Sequence, residues 1–461
     1  MKKKLITLVK VYLFAWFLMT VFIIWQLLRS GSDISQAFEV FFRILGFGNF
    51  QLTFHFLFLI FYLLFLVLRY FYRLYRKRGV AVALKGFFLK FILPLALVFG
   101  SLRFIIYQNS REAFDYKWNT AIENTTGFSR DLFAQDGKHR GMTVFGWKKE
   151  NKDAIASLNR NNIEWVAVVP YFYQENENSS QIRLPENIGS WSRRDSTFIN
   201  AIDQLHQKGI YVHLKPHLWL GKGWRSNLRM ANSKDWDNWF ASYEKIMLHY
   251  ATMAEQTGAE LLCIGTELRT SVKTQPEKWR ELIKKIRAVY SGKLTYAANW
   301  DGEFDDIKFW DQLDYIGLQA YFPLTKKRHP QLSDITKGWQ RHTALMKKLH
   351  TTYNKPVLFT EIGYKSEATA TIRPWEWNSF LNSFTGKKSD KTQHLAYEAM
   401  FESFWNEDWF AGAYFWQWDT RTRAENATYN LDFSPRFKAA ENTMAKWFAR
   451  LSEKAVNLSS P

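Results

Sequence analysis

Residues 261–268 read LLCIGTEL and residues 357–364 read VLFTEIGY. Each is a short apolar run with a glutamate, Glu267 or Glu361, near its end. A run of that length and composition, bounded by turn residues, reads as a buried strand. Similar runs recur at 142–147, 165–171, 210–217, 260–267, 294–299, 315–321, 357–361 and 411–418. Between them lie stretches with apolar residues at three and four spacing, such as KDWDNWFASYEKIMLHYATMAEQTG, PEKWRELIKKIRAV and HLAYEAMFESFW, and a last helix is expected near 435–451. Eight strand and helix units predict an α/β fold, a (β/α)8 TIM barrel over 141–461, rather than an open doubly wound sheet with a Gly-rich first turn. Neither a G-x-G-x-x-G nor a phosphate-binding G-x-x-x-x-G-K-[ST] occurs, so nucleotide binding has no motif behind it.

Barrel enzymes work at the carboxyl ends of their strands, which puts Glu267 and Glu361 at the mouth. Strict alternation predicts Cys263, Gly265 and Glu267 on one inward face, and Val357, Phe359 and Glu361 on another. A carboxylate there is costly unless paired or used. One alternative is a glutamate tied to an Arg, a Lys or a helix start. Two such glutamates on one cavity also match glycoside hydrolysis, where one carboxyl protonates the leaving oxygen and the other attacks the anomeric carbon.

LKPHLW (214–219), CIGTEL (263–268), TYAANWD (295–301) and FTEIGY (359–364) together resemble the strand ends of clan A glycoside hydrolases, and most closely glycoside hydrolase family 113, typified by β-1,4-mannanases. The similarity extends over about 141–418 and leaves the amino-terminal region outside it. The resemblance implies Glu267 as acid/base and Glu361 as nucleophile, retention of anomeric configuration, and Tyr321 as the tyrosine that bonds the nucleophile. One position departs: many clan members have Asn before the acid/base, to contact the sugar 2-hydroxyl, and this chain has Thr266.

The substrate would be a polysaccharide or oligosaccharide. Tyr211, His213, Lys215 and His217 alternate onto one face, so His213, Lys215 and His217 are candidates to line the mouth, against a core histidine and a rim ion pair. The i, i+4 pair His213 and His217 spans about 13 Å of strand, too far for one metal ion, so neither metal nor cofactor is expected. Nineteen of the 21 Trp follow residue 110, and core packing accounts for most. Asn299, Trp300, Trp416 and Trp418 lie at strand ends and are candidates for substrate binding. Trp219 and Trp224, in HLWLGKGWRSN, are candidate outer subsites. The polar stretch 174–196 reads as a loop over the cleft, with Arg193 and Arg194 able to meet an acidic glycan or simply solvent.

The chain has 461 residues and a formal charge of +19, but residues 1–110 hold 14 Lys+Arg and only two acids, Asp33 and Glu39. The excess therefore flanks apolar segments rather than forming a nucleic-acid face, and no reader motif is present. Spans are expected at about 11–28, 50–68 and 88–107, the third with Lys90 and Arg103 near its ends, where long side chains reach the interface. Residues 32–50 between the first two read as amphipathic or re-entrant. Region 1–110 is thus a membrane anchor in a lipid bilayer, retained rather than cleaved, and 111–140 a linker. Lys2, Lys3 and Lys4 and a basic loop of Arg69, Arg73, Arg76, Lys77, Arg78 and Lys85 predict a cytoplasmic side for both clusters and an extracytoplasmic barrel. Cys263 is the single cysteine and says nothing about redox compartment. Three functions fit: a membrane-anchored retaining glycosidase, a glycan-binding barrel without turnover, and a transglycosylase.

Overall fold

The computed structural model describes residues 2–459 apart from 30–33, 47, 113, 184–187, 378, 380–384 and 428. The side chains of 2–5, 7, 36, 39, 40, 43, 44, 46, 48, 49, 188–194, 426 and 457–459 also lie outside the description. Ten strands follow in order: β1 (His139–Phe145), β2 (Trp165–Val168), β3 (Tyr171–Asn176), β4 (Tyr211–Leu214), β5 (His217–Lys222), β6 (Leu261–Thr266), β7 (Lys293–Asn299), β8 (Tyr315–Gln319), β9 (Val357–Ile362) and β10 (Phe410–Asp419). Eight of them close a parallel barrel in the order β1, β2, β4, β6, β7, β8, β9, β10, and β1 pairs with both β2 and β10. Helices cover its outside, among them Ser233–Thr257, Leu332–Tyr353, Asp390–Phe404 and Ala439–Phe448. This is the TIM barrel that the periodicity predicts.

Strands two and three of the barrel end earlier than expected. The runs 165–171 and 210–217 each contain a proline, Pro170 and Pro216, which cannot donate to a ladder. The chains leave the barrel there together, Lys215 N donating to Val168 O and His217 N to Pro170 O. They then pair again as a separate two-stranded parallel ribbon, β3 with β5.

The interior is filled from the bottom. Trp165, Ala167, Leu261, Leu358, Ala411 and Tyr414 form one buried cluster, with Phe133, Tyr211 and Tyr315 against it. The Phe133 ring packs edge-on to His139, Trp165 and Tyr211. Phe133 belongs to the segment 111–140, expected as a linker. Within that segment Leu132 N and Phe133 N donate to the Glu164 carboxylate at 2.7 and 2.9 Å, and β1 already begins at His139. Aromatic bulk at the bottom leaves the polar side chains for the top.

Alternation fails where the glutamates emerge. A Cβ on Gly265 would meet Tyr296, Trp279 and Tyr243, all in the layer between barrel and helices, so Gly265 faces outward and not inward as expected. Val357 and Phe359 also face outward; Phe359 stacks on Trp339 and meets Phe404 edge-on. The register shifts between Cys263 and Thr266, and again between Leu318 and Gln319 opposite Phe359 and Glu361. One extra residue turns each strand end over. Glu267 completes its turn with φ 53°, uncommon for a side chain with a Cβ.

The chain divides into two compact units, Met1–Arg103 and Phe104–Pro461. Three helical stretches are long and apolar enough to cross a membrane: Leu8–Arg29, Phe50–Arg78 and Val80–Ser110. A shorter helix, Ile34–Gly46, lies between the first two. The basic stretch expected as a loop is helical instead: Arg69 to Arg78 continue the helix Gly48–Arg78, and Gly79, at φ 80°, alone breaks it before Val80. A glycine at positive φ can stop a helix in one residue, so no loop is needed. The helical register widens at Phe88–Ile92, just before Pro94, whose missing N–H leaves an earlier carbonyl free.

Closure between β1 and β10 depends on Gly412, whose φ is 114° and whose absent Cβ would strike the backbone of His139. Gly412→Ala should lower the stability of the full chain in detergent by about 1–3 kcal/mol, through overpacking and an unfavourable φ. Urea unfolding followed by tryptophan fluorescence reads this; an unchanged midpoint would show that the seam has slack.

Candidate active site

Glu267 leaves β6 with every backbone group held. Its N–H donates to Ala297 O at 3.0 Å, its carbonyl accepts from Ser226 Oγ at 2.8 Å, and the next N–H, of Leu268, donates to Tyr296 Oη at 2.7 Å. These bonds maintain the left-handed conformation against its cost. The carboxyl, 6% exposed, accepts from Arg225 Nη2 at 2.6 Å and from Asn299 Nδ2 at 2.9 Å. Burial raises its pKa above the usual glutamate value; Arg225 opposes this and the charge on Glu361 adds to it.

Arg225 was not legible in the sequence. It opens the short turn Arg225–Asn227 after β5, which is clipped to the residues following Glu267: Thr270 Oγ1 donates to Ser226 O, and Arg269 Nη2 to Asn227 Oδ1. Its guanidinium lies over the Trp224 ring, 4.6 Å from the centroid. The aromatic neighbour orients the cation that meets the acid.

Glu361, 5% exposed, gathers donors from two other strand ends. Lys215 Nζ, past the end of β4, donates to Oε1 at 2.6 Å and to Thr360 O at 3.1 Å. Tyr321 Oη donates to Oε2 at 3.2 Å. Gln319, its amide turned so that nitrogen rather than oxygen faces the carboxylate, donates to Oε1 at 3.1 Å and also to Oε2. His217 Nε2 is 3.6 Å from Oε1, and burial beside Lys215 and Arg225 holds its pKa well below the ordinary histidine value. A neutral imidazole therefore faces the carboxylate. Gln319 stands two residues before Tyr321, a spacing that alternation alone could have flagged.

The expected site residues divide. Lys215, His217 and Tyr321 meet Glu361, and Asn299 meets Glu267. Trp416 packs with Tyr321 and Phe433 beneath the rim, and half-buried Trp300 lies against it. His213 does not reach the mouth. It sits about 7 Å lower on its strand than Lys215, fully buried, its ring edge-on to Tyr414. Trp418 is not at the mouth either. It is 0% exposed in the layer between barrel and helices, under the Arg436 guanidinium. Trp219 and Trp224 are exposed, as are two tryptophans the sequence reading passed over, Trp375, which packs on Trp300 at 5.0 Å, and Trp377, edge-on to Trp416. The stretch 174–196 is not all loop, because a helix runs over Ile188–His206; the side chains of Arg193 and Arg194 lie outside the described residues. Among the described residues no group of three or more His, Cys, Asp and Glu could hold a metal ion.

A third carboxyl stands behind the first. Glu303 is fully buried; its Oε1 accepts from Tyr296 Oη at 2.6 Å and its Oε2 from Asn299 N at 2.8 Å. Tyr296 receives the N–H following Glu267, and Asn299 donates to the Glu267 carboxyl, so Glu303 braces both sides of that residue.

The family model of Glycoside Hydrolase Family 113 matches residues 141–438. Among solved structures, the chain is similar to a GH113 β-mannanase, AaManA from Alicyclobacillus acidocaldarius in complex with ManMIm, at 26% identity, with 68% of this chain and 98% of that one covered and a TM-score of 0.59. A complex of a GH113 β-1,4-mannanase aligns at the same identity and coverage with a TM-score of 0.58. Comparison with the curated proteins finds no match.

Burial raises Glu303 from 4.5 to about 8. The folded protein holds this proton more tightly than the open chain does, so the stabilisation is complete below about pH 4.5 and is lost as pH rises through about 8. Glu303→Gln should therefore flatten the fall of the denaturation midpoint across that window. A slope parallel to that of the parent would remove Glu303 as its source.

Proposed function

The chain belongs to glycoside hydrolase family 113, and from that premise we propose that it is a membrane-anchored, retaining glycosidase cleaving a β-linked, mannan-like polysaccharide or oligosaccharide. Glu361 attacks the anomeric carbon, and the glycosyl–enzyme ester forms as the C–O bond to the leaving sugar breaks. Glu267 gives its proton to that leaving oxygen. It then takes a proton from water, whose oxygen displaces Glu361 and restores the original configuration. The observation that carries this reading is that two buried carboxyls stand at the carboxyl ends of β6 and β9, Glu267 held by Arg225 and Asn299 and Glu361 by Lys215 and Tyr321; burial raises the pKa of Glu267, the direction an acid catalyst needs. Lys215, Tyr321 and Gln319 fix the nucleophile's oxygens, and Asn299 and Arg225 fix those of the acid.

A second reading, a glycan-binding barrel without turnover, is favoured by the 2.6 Å contact of Arg225 with Glu267, because a cation so close opposes protonation. Transglycosylation on the same site differs only in a sugar hydroxyl replacing water, and gives products longer than the substrate.

Glu267→Gln should lower release of reducing sugar from β-1,4-mannan by roughly 10²–10⁴-fold, and Glu361→Ala should lower it further, with both proteins folded by circular dichroism. Turnover near that of the parent in either variant would overturn the assignment, and inversion seen by NMR of the first-formed anomer would overturn retention. Binding of the glycan by a parent protein that never cleaves it is the outcome of the second reading.

Membrane anchoring rests on the three apolar helices, and orientation on their charges. Lys2 to Lys4 and Arg69 to Lys85 flank the first two spans on what we assign as the cytoplasmic side, so an odd number of crossings delivers the barrel outside. Protease added to intact cells should cut the barrel region. Protection there, with cleavage only after lysis, would reverse the topology.

A further inference from the structure

The β3–β5 ribbon has one face in the core and one in solvent. Phe172, Leu218 and Leu220 are buried, and Gln174 Oε1 accepts from Trp239 Nε1 at 2.8 Å. The register pairs Tyr171 with His217 and Tyr173 with Trp219, so these four share the opposite face. Its inner end is His217, 3.6 Å from Glu361. Trp219 lies about 7 Å farther out along the strand. Tyr171 ties the two, edge-on to His217 at 5.8 Å and to Trp219 at 6.1 Å. Trp219 is 51% exposed and Tyr173 is 44% exposed.

Large aromatic rings left in water beside one another on a rigid ribbon serve no packing purpose, and an exposed apolar face contiguous with a cleft marks a binding surface. The ribbon is pinned. Arg183 N donates to Tyr173 O at 2.9 Å, and Trp224 N to Glu177 Oε1 at 2.9 Å, where a Cβ on Gly223 would also crowd the Glu177 side chain. The three rings carry no formal charge, and the two charged residues beside them on that face, Glu175 and Arg183, are of opposite sign. A flat aromatic face without net charge suits the C–H face of a neutral sugar ring.

We propose that Tyr171, Tyr173 and Trp219 form a second sugar-binding stretch, continuous with the Glu267 and Glu361 site, which holds uncharged pyranose units of the same chain beyond the one being cleaved. This rests on the glycosidase reading for the identity of the central site. It makes the protein a selector of chains over short fragments, because only a chain reaches Trp219 while engaged at Glu361.

The test uses the full chain in a detergent without a sugar head group, carrying Glu361→Gln so that binding is measured apart from turnover. β-1,4-Mannohexaose and β-1,4-mannobiose are titrated by calorimetry, with cellohexaose as a second neutral chain. The hexasaccharide should bind roughly tenfold or more tightly than the disaccharide, and Trp219→Ala or Tyr173→Ala should erase most of that difference, as loss of an aromatic platform costs. Trp219→Phe, which keeps a flat ring, should restore part of it. Equal affinity for both lengths, a length preference untouched by the alanine variants, or no binding of either hexasaccharide overturns the proposal. Length-dependent binding by a parent protein that never hydrolyses mannan keeps the ribbon and discards the enzyme.

Discussion

A carboxyl taken out of water must be met by donors, and this requirement organises the whole mouth of the barrel. Glu361 and Glu267 each take one cation and one neutral side-chain donor or more: Lys215 with Tyr321 and Gln319 for the first, Arg225 with Asn299 for the second. Those donors come from the ends of β4, β7 and β8 and from the turn after β5. Removing any charged partner would leave a buried charge bare, which costs far more than the pair contributes. The site is therefore held together by the same desolvation that tunes it.

That arrangement needs the rest of the barrel to be full. Aromatic side chains from β1, β2, β4, β8 and β10, with Phe133 beneath them, occupy the lower interior. Polar groups are pushed to the carboxyl ends, where Thr360, Lys215 and Gln319 are buried around Glu361. His213, fully buried with no protein partner on either ring nitrogen, marks the boundary. Burial and the nearby Lys215 hold its pKa well below the ordinary value, so it stays an uncharged spacer.

Glu303 extends the same logic one layer back. A buried carboxyl whose pKa is raised to about 8 by desolvation accepts from Tyr296 and from the backbone of Asn299. The Glu267 side of the site thus rests on a hydrogen-bonded frame, while the Glu361 side rests on direct donors. The aromatic ribbon, built from two strands that leave the barrel at matched prolines, adds a surface that the eight-stranded frame does not supply.

Local patterns in the chain were enough for the eight barrel strands, for both glutamates at strand ends, and for three long apolar helices, because burial writes apolar runs at characteristic lengths and a carboxylate closing such a run stands out. Lys215, His217, Asn299 and Tyr321 were legible for the same reason, as polar residues at strand ends. What the folded chain alone decided was direction. Register shifts in β6 and β9 turn Gly265 and Phe359 outward while Glu267 and Glu361 still face the mouth, and Trp418 and His213 lie in packed layers instead of at the rim. Arg225 and Glu303 carried no local signal. Their partners lie tens of residues away for Arg225 and across a strand end for Glu303, and pairing of that kind is fixed only when distant segments meet.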